Sequence, residues 1–269
     1  MTADDVRFSF ERRGAAEMAP SGGGGPREAA LWGVKELVIG SCGVLLLFFL
    51  LATAIILPVI AATDEDAPET LAAEAVTVAL WDVSMVLIVY YLVRKVGGRW
   101  RNLGLRPPRP NADGRPRSIG SLFGFIGLTY IASIGVVIFY NVVINALGLD
   151  LLKPSEQLTD SFFEHDWLVP MIGFSVVIAA PVAEEIFFRG FLFAGLRRRM
   201  PFVAAGLLSG AVFSLAHFDP GLVLPFTLVG LILAFTYERT GSLYTSMGVH
   251  FLFNAISFLA LVFAPGARG

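Results

Sequence analysis

Six side chains in this sequence combine chemical capability with apolar surroundings. Glu184 and Glu185 stand in the run Pro181-Val-Ala-Glu-Glu-Ile-Phe-Phe-Arg189-Gly190, His217 follows Phe213 by four residues, and Asn254 follows His250 by four. A carboxylate can take a proton from water, an imidazole can hold or pass one, and an amide or imidazole N–H can donate to a developing oxyanion. Neighbouring residues of a helix point about 100° apart, so Glu184 and Glu185 need different tasks. Glu185 and Arg189 are four apart and share a face, which suits an ion pair. Glu184 has no such partner in its own helix and is the better candidate for a reactive carboxylate. Pro181 removes one helical donor and frees the carbonyl of Val177, which predicts a kink. A helix restarting there would hold both glutamates in its first turn, where its dipole favours their charged forms.

The surroundings make these groups expensive. The chain has 269 residues, 55% hydrophobic and 16% charged, with a mean hydropathy of +0.71. A soluble domain is nearer a quarter charged, so the balance places this chain in the membrane class. The ionisable residues singled out within its apolar runs are Asp82, Glu184, Glu185, Arg189, His217 and His250. Such groups normally face a bundle interior, a partner or water. A buried glutamate–arginine pair is often only a clamp, and a buried histidine often only packs. One free carboxylate, two histidines and an asparagine on three helices near the C-terminus fit a catalytic or ion-binding site better. His165, between Glu164 and Asp166, reads as a solvated surface residue, and the lone Cys42 as a small buried hydrophobe that excludes an intrachain disulfide. A net charge of −2 gives no reason to expect a nucleic-acid partner.

The elements that position these residues are transmembrane helices. A hydrocarbon core of about 30 Å takes about 20 apolar helical residues, and the segments near 37–62, 71–93, 118–147, 168–193, 201–217, 222–237 and 241–263 qualify or nearly do. The fold class expected is all-α, a polytopic transmembrane bundle of about seven helices. The fifth and sixth are short, and Asp219-Pro220-Gly221 between them signals a tight hairpin. Residues 1–33, polar and glycine-rich, read as a disordered cytoplasmic tail. Residues 34–117 hold two helices and a basic loop, and 118–263 the helical core that carries the candidate residues. The loop at 94–117 contains Arg94, Lys95, Arg99, Arg101, Arg106, Arg109, Arg115 and Arg117, and Arg197 to Arg199 follow the fourth helix. The positive-inside rule puts both in the cytoplasm with the N-terminus, and the acidic stretches Asp64 to Asp66 and Glu164 to Asp166 outside. At 1.5 Å per residue, Glu184 and His250 each lie roughly 14 Å from the cytoplasmic ends of their helices, whereas His217 falls roughly 24 Å in.

Glu184-Glu185 with Arg189, Phe213 with His217, and His250 with Asn254 form the series Glu-Glu-x-x-x-Arg, Phe-x-x-x-His and His-x-x-x-Asn on successive helices. In this order the three motifs resemble the CPBP intramembrane endopeptidases, the family of the CAAX prenyl proteases and bacteriocin-processing enzymes. The likeness covers roughly 118–263. It implies hydrolysis of peptide bonds in membrane-associated peptides or proteins, from a cavity open to the cytoplasm. Carried over to this chain, Glu184 with His217 would hold and deprotonate the attacking water. His250 and Asn254 would stabilise the oxyanion, with Glu185 and Arg189 in support. The resemblance leaves the metal open: a metal-free site is expected, and zinc held by Glu184, His217 and His250 is the alternative. Two other readings stand beside the protease: a non-catalytic peptide-binding or immunity protein on the same scaffold, and a proton-coupled transporter. The transporter is disfavoured because the first and third helices carry no charge in their central stretches. The partners expected are a peptide or protein substrate and the lipid bilayer of the cell membrane.

Overall fold

The computed structural model describes residues 26–64, 66–111, 113–155 and 160–263; residues 1–25 of the expected tail, and Glu65, lie outside them. The chain is an all-α, multi-pass membrane bundle. Its apolar helices are α1 (Val34–Ile60), α2 (Pro68–Lys95), α3 (Ile119–Leu147), α4 (Leu168–Arg197), α5 (Phe202–Leu215), α6 (Pro220–Thr240) and α7 (Leu243–Phe263). Among the described residues six of these are long and apolar enough to cross a membrane, and α5 is the shorter exception. Its 14 residues span roughly 21 Å. The outward faces of α1 and α3 are exposed apolar side chains such as Leu46, Phe49, Phe123, Ile131 and Phe139, as lipid contact requires. Cys42 sits on α1 and is exposed, contrary to the expectation of burial, because α1 packs through a narrow stripe of Leu37, Gly40 and Val44.

Two glycines bring α5 and α6 together. A Cβ on Gly210 would press on the carbonyl of Thr227, and one on Gly230 would stand 2.6 Å from the Cα of Gly210. Small residues let membrane helices approach backbone to backbone, where dispersion contacts substitute for a hydrophobic driving force that lipid does not supply. The expected hairpin is present. The Asp219 side chain accepts from Gly221 N (2.7 Å) and from Ser155 N and Oγ (2.8 and 2.9 Å), which also fastens the segment after α3 to the hairpin tip.

The other end of the bundle is closed by the basic loop. Leu103 is fully buried and lies over Gly190, whose absent side chain leaves room for the Leu103 carbonyl. That carbonyl accepts from Tyr237 Oη (2.9 Å), and the carbonyl of Gly104 accepts from Leu243 N (2.8 Å). Gly104 has a φ of 93°, a conformation costly for any residue with a Cβ. Arg106 Nε donates to Gly241 O and Arg109 N to Thr240 O, so the strap grips the α6–α7 turn. Residues 26–33, grouped with the tail on composition, are packed. Pro26–Ala29 is a helical turn, and Trp32 is wholly buried, with Nε1 donating to Phe191 O at 2.8 Å. One large aromatic side chain supplies enough buried area to order a short segment that is otherwise polar.

The α5–α6 crossing gives a direct test. Gly230→Ala forces a methyl into contact with Gly210, and overpacking of this kind typically costs about 1–3 kcal/mol. Thermal unfolding in detergent should occur at a lower temperature than for the unmodified protein. Gly120→Ala, with open space around its Cβ, should match the unmodified protein.

Candidate active site

α4 carries the two glutamates through an unbroken but widened helix. Ser175–Ala179 and Glu185–Phe193 are π-helical, separated by the α-helical turn Ala180–Glu184 that contains Pro181. The restart anticipated at Pro181 does not occur, so neither glutamate lies at a helix N-terminus. In the wider register each N–H reaches five residues back. Ala180 N accordingly bonds Ser175 O, and in that register the carbonyl facing Pro181, which has no N–H to offer, is that of Val176. Asn254 Nδ2 on α7 donates to it at 2.8 Å. In the second widened stretch Ser209 Oγ donates to Phe188 O at 2.8 Å, and Trp32 Nε1 to Phe191 O, which also accepts from Ala194 N. Long π segments are rare and concentrate at functional sites; here side chains from three other segments satisfy the backbone.

The widening places both glutamates against one imidazole. His250 Nδ1 is 3.1 Å from Glu185 Oε1, and His250 Nε2 is 3.6 Å from Glu184 Oε2. Glu185 Oε1 also pairs with Arg189 at 2.9 Å, and both side chains are 0% exposed. The Arg189 guanidinium lies 4.4 Å from the centre of the Phe213 ring, a cation–π contact that partly offsets its desolvation. Ser246, one turn before His250, approaches the Glu185 carboxylate. Glu184 retains 15% side-chain exposure and faces a cavity. Asp82 on α2 is buried and within electrostatic reach of Glu184.

His217 lies just past α5, and its Nδ1 bonds Phe213 O at 3.0 Å. A carbonyl only accepts, so Nδ1 must carry the proton. In the neutral ring Nε2 is then an acceptor, the nitrogen available to the cavity. The ring therefore folds back a full turn toward the N-terminus of its helix, as helical side chains do, which reduces the depth mismatch with Glu184. Phe226, which the motif spacing gave no means of finding, packs edge-on against His217 at 4.9 Å. Phe213 touches both histidines, with ring centres at 5.0 and 5.8 Å.

The cavity has a volume of about 600 Å³, and Glu184, His217, His250 and Asn254 line it together with Trp81 and Phe226. From that polar group it continues past Val176 and Ser257 to Glu74, Ile172, Phe162 and Leu261. These last residues lie near the start of α2, the start of α4 and the end of α7, the end of the bundle away from the basic loop. With the orientation expected from the charges, this is opposite to the cytoplasmic opening that the family resemblance implies. Toward the basic loop, Phe188, Phe191, Phe193, Tyr237, Leu103 and Leu243 are all buried and form a closed floor. Among the described residues no three His, Cys, Asp or Glu side chains converge at metal-ligand spacing. The nitrogens of His250 are turned to two carboxylates, and His217 offers only Nε2. His165 is half-buried and does not line the cavity.

Residues 166–256 match the family model of the type II CAAX prenyl endopeptidase Rce1-like proteins. Over 86 residues the chain is 34% identical to "Putative membrane peptidase YdiL" of Bacillus subtilis (strain 168). The matched segment is similar to that family. The alignment with the relative takes in 32% of this chain and 35% of that protein, so the chain spans about a third of its length. The match takes in α4 to α6 and α7 as far as Ile256, with all six candidate residues, and leaves out α1 to α3, narrower than the 118–263 expected. No solved structure matches the chain significantly.

Arg189 tests the layer that supports Glu184. Removing one member of a buried ion pair strands the other charge, at a typical cost of about 3–5 kcal/mol. Arg189→Ala should lower the unfolding temperature and membrane accumulation as well as any activity. Unchanged stability with activity abolished would instead place Arg189 in the chemistry.

Proposed function

We propose that this chain is an intramembrane endopeptidase that hydrolyses peptide bonds of membrane-associated peptides or proteins with a water activated by Glu184. The observation that carries the proposal is the convergence of Glu184, His217 and Asn254 on one largely apolar cavity in mid-bundle. The family of residues 166–256 supports the reaction class.

The protons of the water have two acceptors. The Glu184 carboxylate takes one hydrogen bond and His217 Nε2 the other, which leaves an oxygen lone pair directed at the substrate carbonyl. As the water attacks, Glu184 receives the proton and later returns it to the leaving amine. General acid–base transfer of this kind contributes typically about 10²–10⁴ in rate. Asn254 holds Val176 O with one amide hydrogen and has a second for the oxyanion, in a water-poor site where such a donor is most effective. His250 is engaged by Glu184 and Glu185 through its two nitrogens, so its contribution is to orient Glu184 more than to donate to the oxyanion. Glu185 and Arg189 neutralise one another beneath it. The reaction proposed uses no metal. The bundle is proposed to sit with its basic end and N-terminus in the cytoplasm, from the charge of the loop at 94–117 and of Arg197 to Arg199.

Glu184→Gln keeps the size of the side chain and removes the base. The variant should fold and bind peptide while turnover falls by about 10² or more. Asn254→Ala should lose about 10²–10³ in rate if the amide serves the oxyanion. Loss of stability without any peptide cleavage to lose would favour a non-catalytic scaffold. Activity that is indifferent to a strong chelator, in protein free of bound metal, is expected. Stoichiometric zinc whose removal and return switch activity off and on would make Glu184, His217 and His250 its ligands.

A further inference from the structure

We infer that the cavity admits its substrate from the end of the bundle opposite the basic loops, the extracytoplasmic side. Its occupant is then an extended, apolar peptide segment presented from that side. The naming of a substrate rests on the protease reading; the side of access does not.

The direction follows from where the lining residues fall along their helices. Ile172 is four residues into α4, Glu74 six residues into α2, and Leu261 two residues from the end of α7. At 1.5 Å per residue these stand roughly 3–9 Å from the helix ends. Phe162 and Phe218, in the segments that cap the same end, complete the rim. In the other direction the passage stops. The Glu185–Arg189 pair is fully buried, and below it Phe191, Phe193, Tyr237, Leu103 and Leu243 are packed without exposure. The strap formed by Leu103, Gly104, Arg106 and Arg109 seals that floor from outside through its bonds to Tyr237, Thr240, Gly241 and Leu243. A peptide arriving from the basic side would have to break this layer.

Charge identifies the two ends. The described parts of the loop at 94–117 and Arg197 to Arg199 belong to the closed end, while Lys153 is the one lysine or arginine in the described stretches 61–64, 66–70, 148–155, 160–167 and 216–222 at the open end. The positive-inside rule then makes the open end extracytoplasmic.

The dimensions describe the occupant. Along α7 the cavity runs from His250 to Leu261, roughly 16 Å at helical rise. An extended chain rises about 3.3 Å per residue, so about five residues fill it. Ala75, Val78, Ile172, Val176, Phe258 and Leu261 offer these residues apolar walls, and the polar groups wait at the inner end. A peptide exported across the membrane, or the outer-leaflet end of a membrane anchor, has this chemistry and position. A lipid-modified C-terminus on the cytoplasmic face does not.

The test reads access separately from activity. In full-length protein with Cys42→Ser, a single cysteine is introduced at Ser257 in the cavity, or at Val78 across from it should the first variant not accumulate. Another is introduced at Arg101 in the basic loop. Intact cells are treated with a charged, membrane-impermeant maleimide, before and after permeabilisation. The cavity cysteine should be labelled at least tenfold more than the loop cysteine in intact cells, and the loop cysteine should reach it only after permeabilisation. A cavity cysteine labelled only after permeabilisation, or at neither stage, would overturn the inference, as would a loop cysteine labelled in intact cells. In sealed proteoliposomes of known orientation, a five-residue apolar peptide with a charged impermeant cap should be cut only where the acidic loops face it, and not by Glu184→Gln. Cutting from the basic side would overturn the inference. Labelling as expected, with no cutting from either side, would uphold the access route and reject the protease.

Discussion

A guanidinium and a carboxylate with no exposure to solvent, held 2.9 Å apart in the middle of a membrane bundle, constrain almost everything around them. Neither charge survives there alone, because the desolvation penalty of an isolated buried ion amounts to several kcal/mol. Arg189 is therefore boxed from every direction: Glu185 from its own helix, Phe213 from α5, and the bare backbone at Gly230 from α6. His250 joins from α7 through the same Glu185 oxygen. Four helices are thereby registered to one another at the depth where Glu184 faces the cavity. The placement of the reactive carboxylate is a consequence of the neutralisation of its neighbour.

The same constraint accounts for the helix geometry. An ordinary α-helical register turns consecutive side chains about 100° apart, yet Glu184 and Glu185 flank a single imidazole. The π-helical stretch from Glu185 to Phe193 reduces that divergence, and Ser209 and Trp32 donate further hydrogen bonds to its carbonyls. Asn254 compensates the first widened stretch at Val176, where proline leaves a carbonyl without a donor. Each deviation in α4 thus has a polar side chain assigned to it, as a low-dielectric interior demands. The floor under Arg189, fastened by Tyr237 and the 103–109 strap, keeps that interior dry on one side only.

Much of this was legible in the residues themselves. The four-residue spacings announced the Glu185–Arg189 pair and the common face of His250 and Asn254, and Asp219-Pro220-Gly221 announced the hairpin. Hydropathy located the helices and the short α5, but α6, also expected to be short, runs 21 residues and is long enough to cross a membrane, because it extends past the apolar run into Glu238, Arg239 and Thr240. What could not be read were features decided by tertiary partners. The π register that sets the Val176 carbonyl opposite Pro181 and within reach of Asn254 is fixed by packing against neighbouring helices, not by composition. Trp32 was hidden in a polar segment, and one aromatic anchor does not change a composition. The exposure of Cys42 depends on which face of a uniformly apolar helix meets lipid, a choice that leaves no mark in a sequence without amphipathic periodicity. The direction of the cavity depends on how the floor packs, and the floor is built from residues scattered between Leu103 and Leu243.

The claim that mutual neutralisation of Glu185 and Arg189 organises the bundle is tested most directly by a double-mutant cycle read as unfolding temperature. Glu185→Leu and Arg189→Met each strand a buried charge, and each should destabilise the protein strongly. Replacing both by apolar groups removes the stranded charge, so the double variant should be more stable than either single one, with a coupling well outside the about 0.3–0.5 kcal/mol expected of independent sites. Additive losses, with the double variant the least stable of the three, would contradict the account.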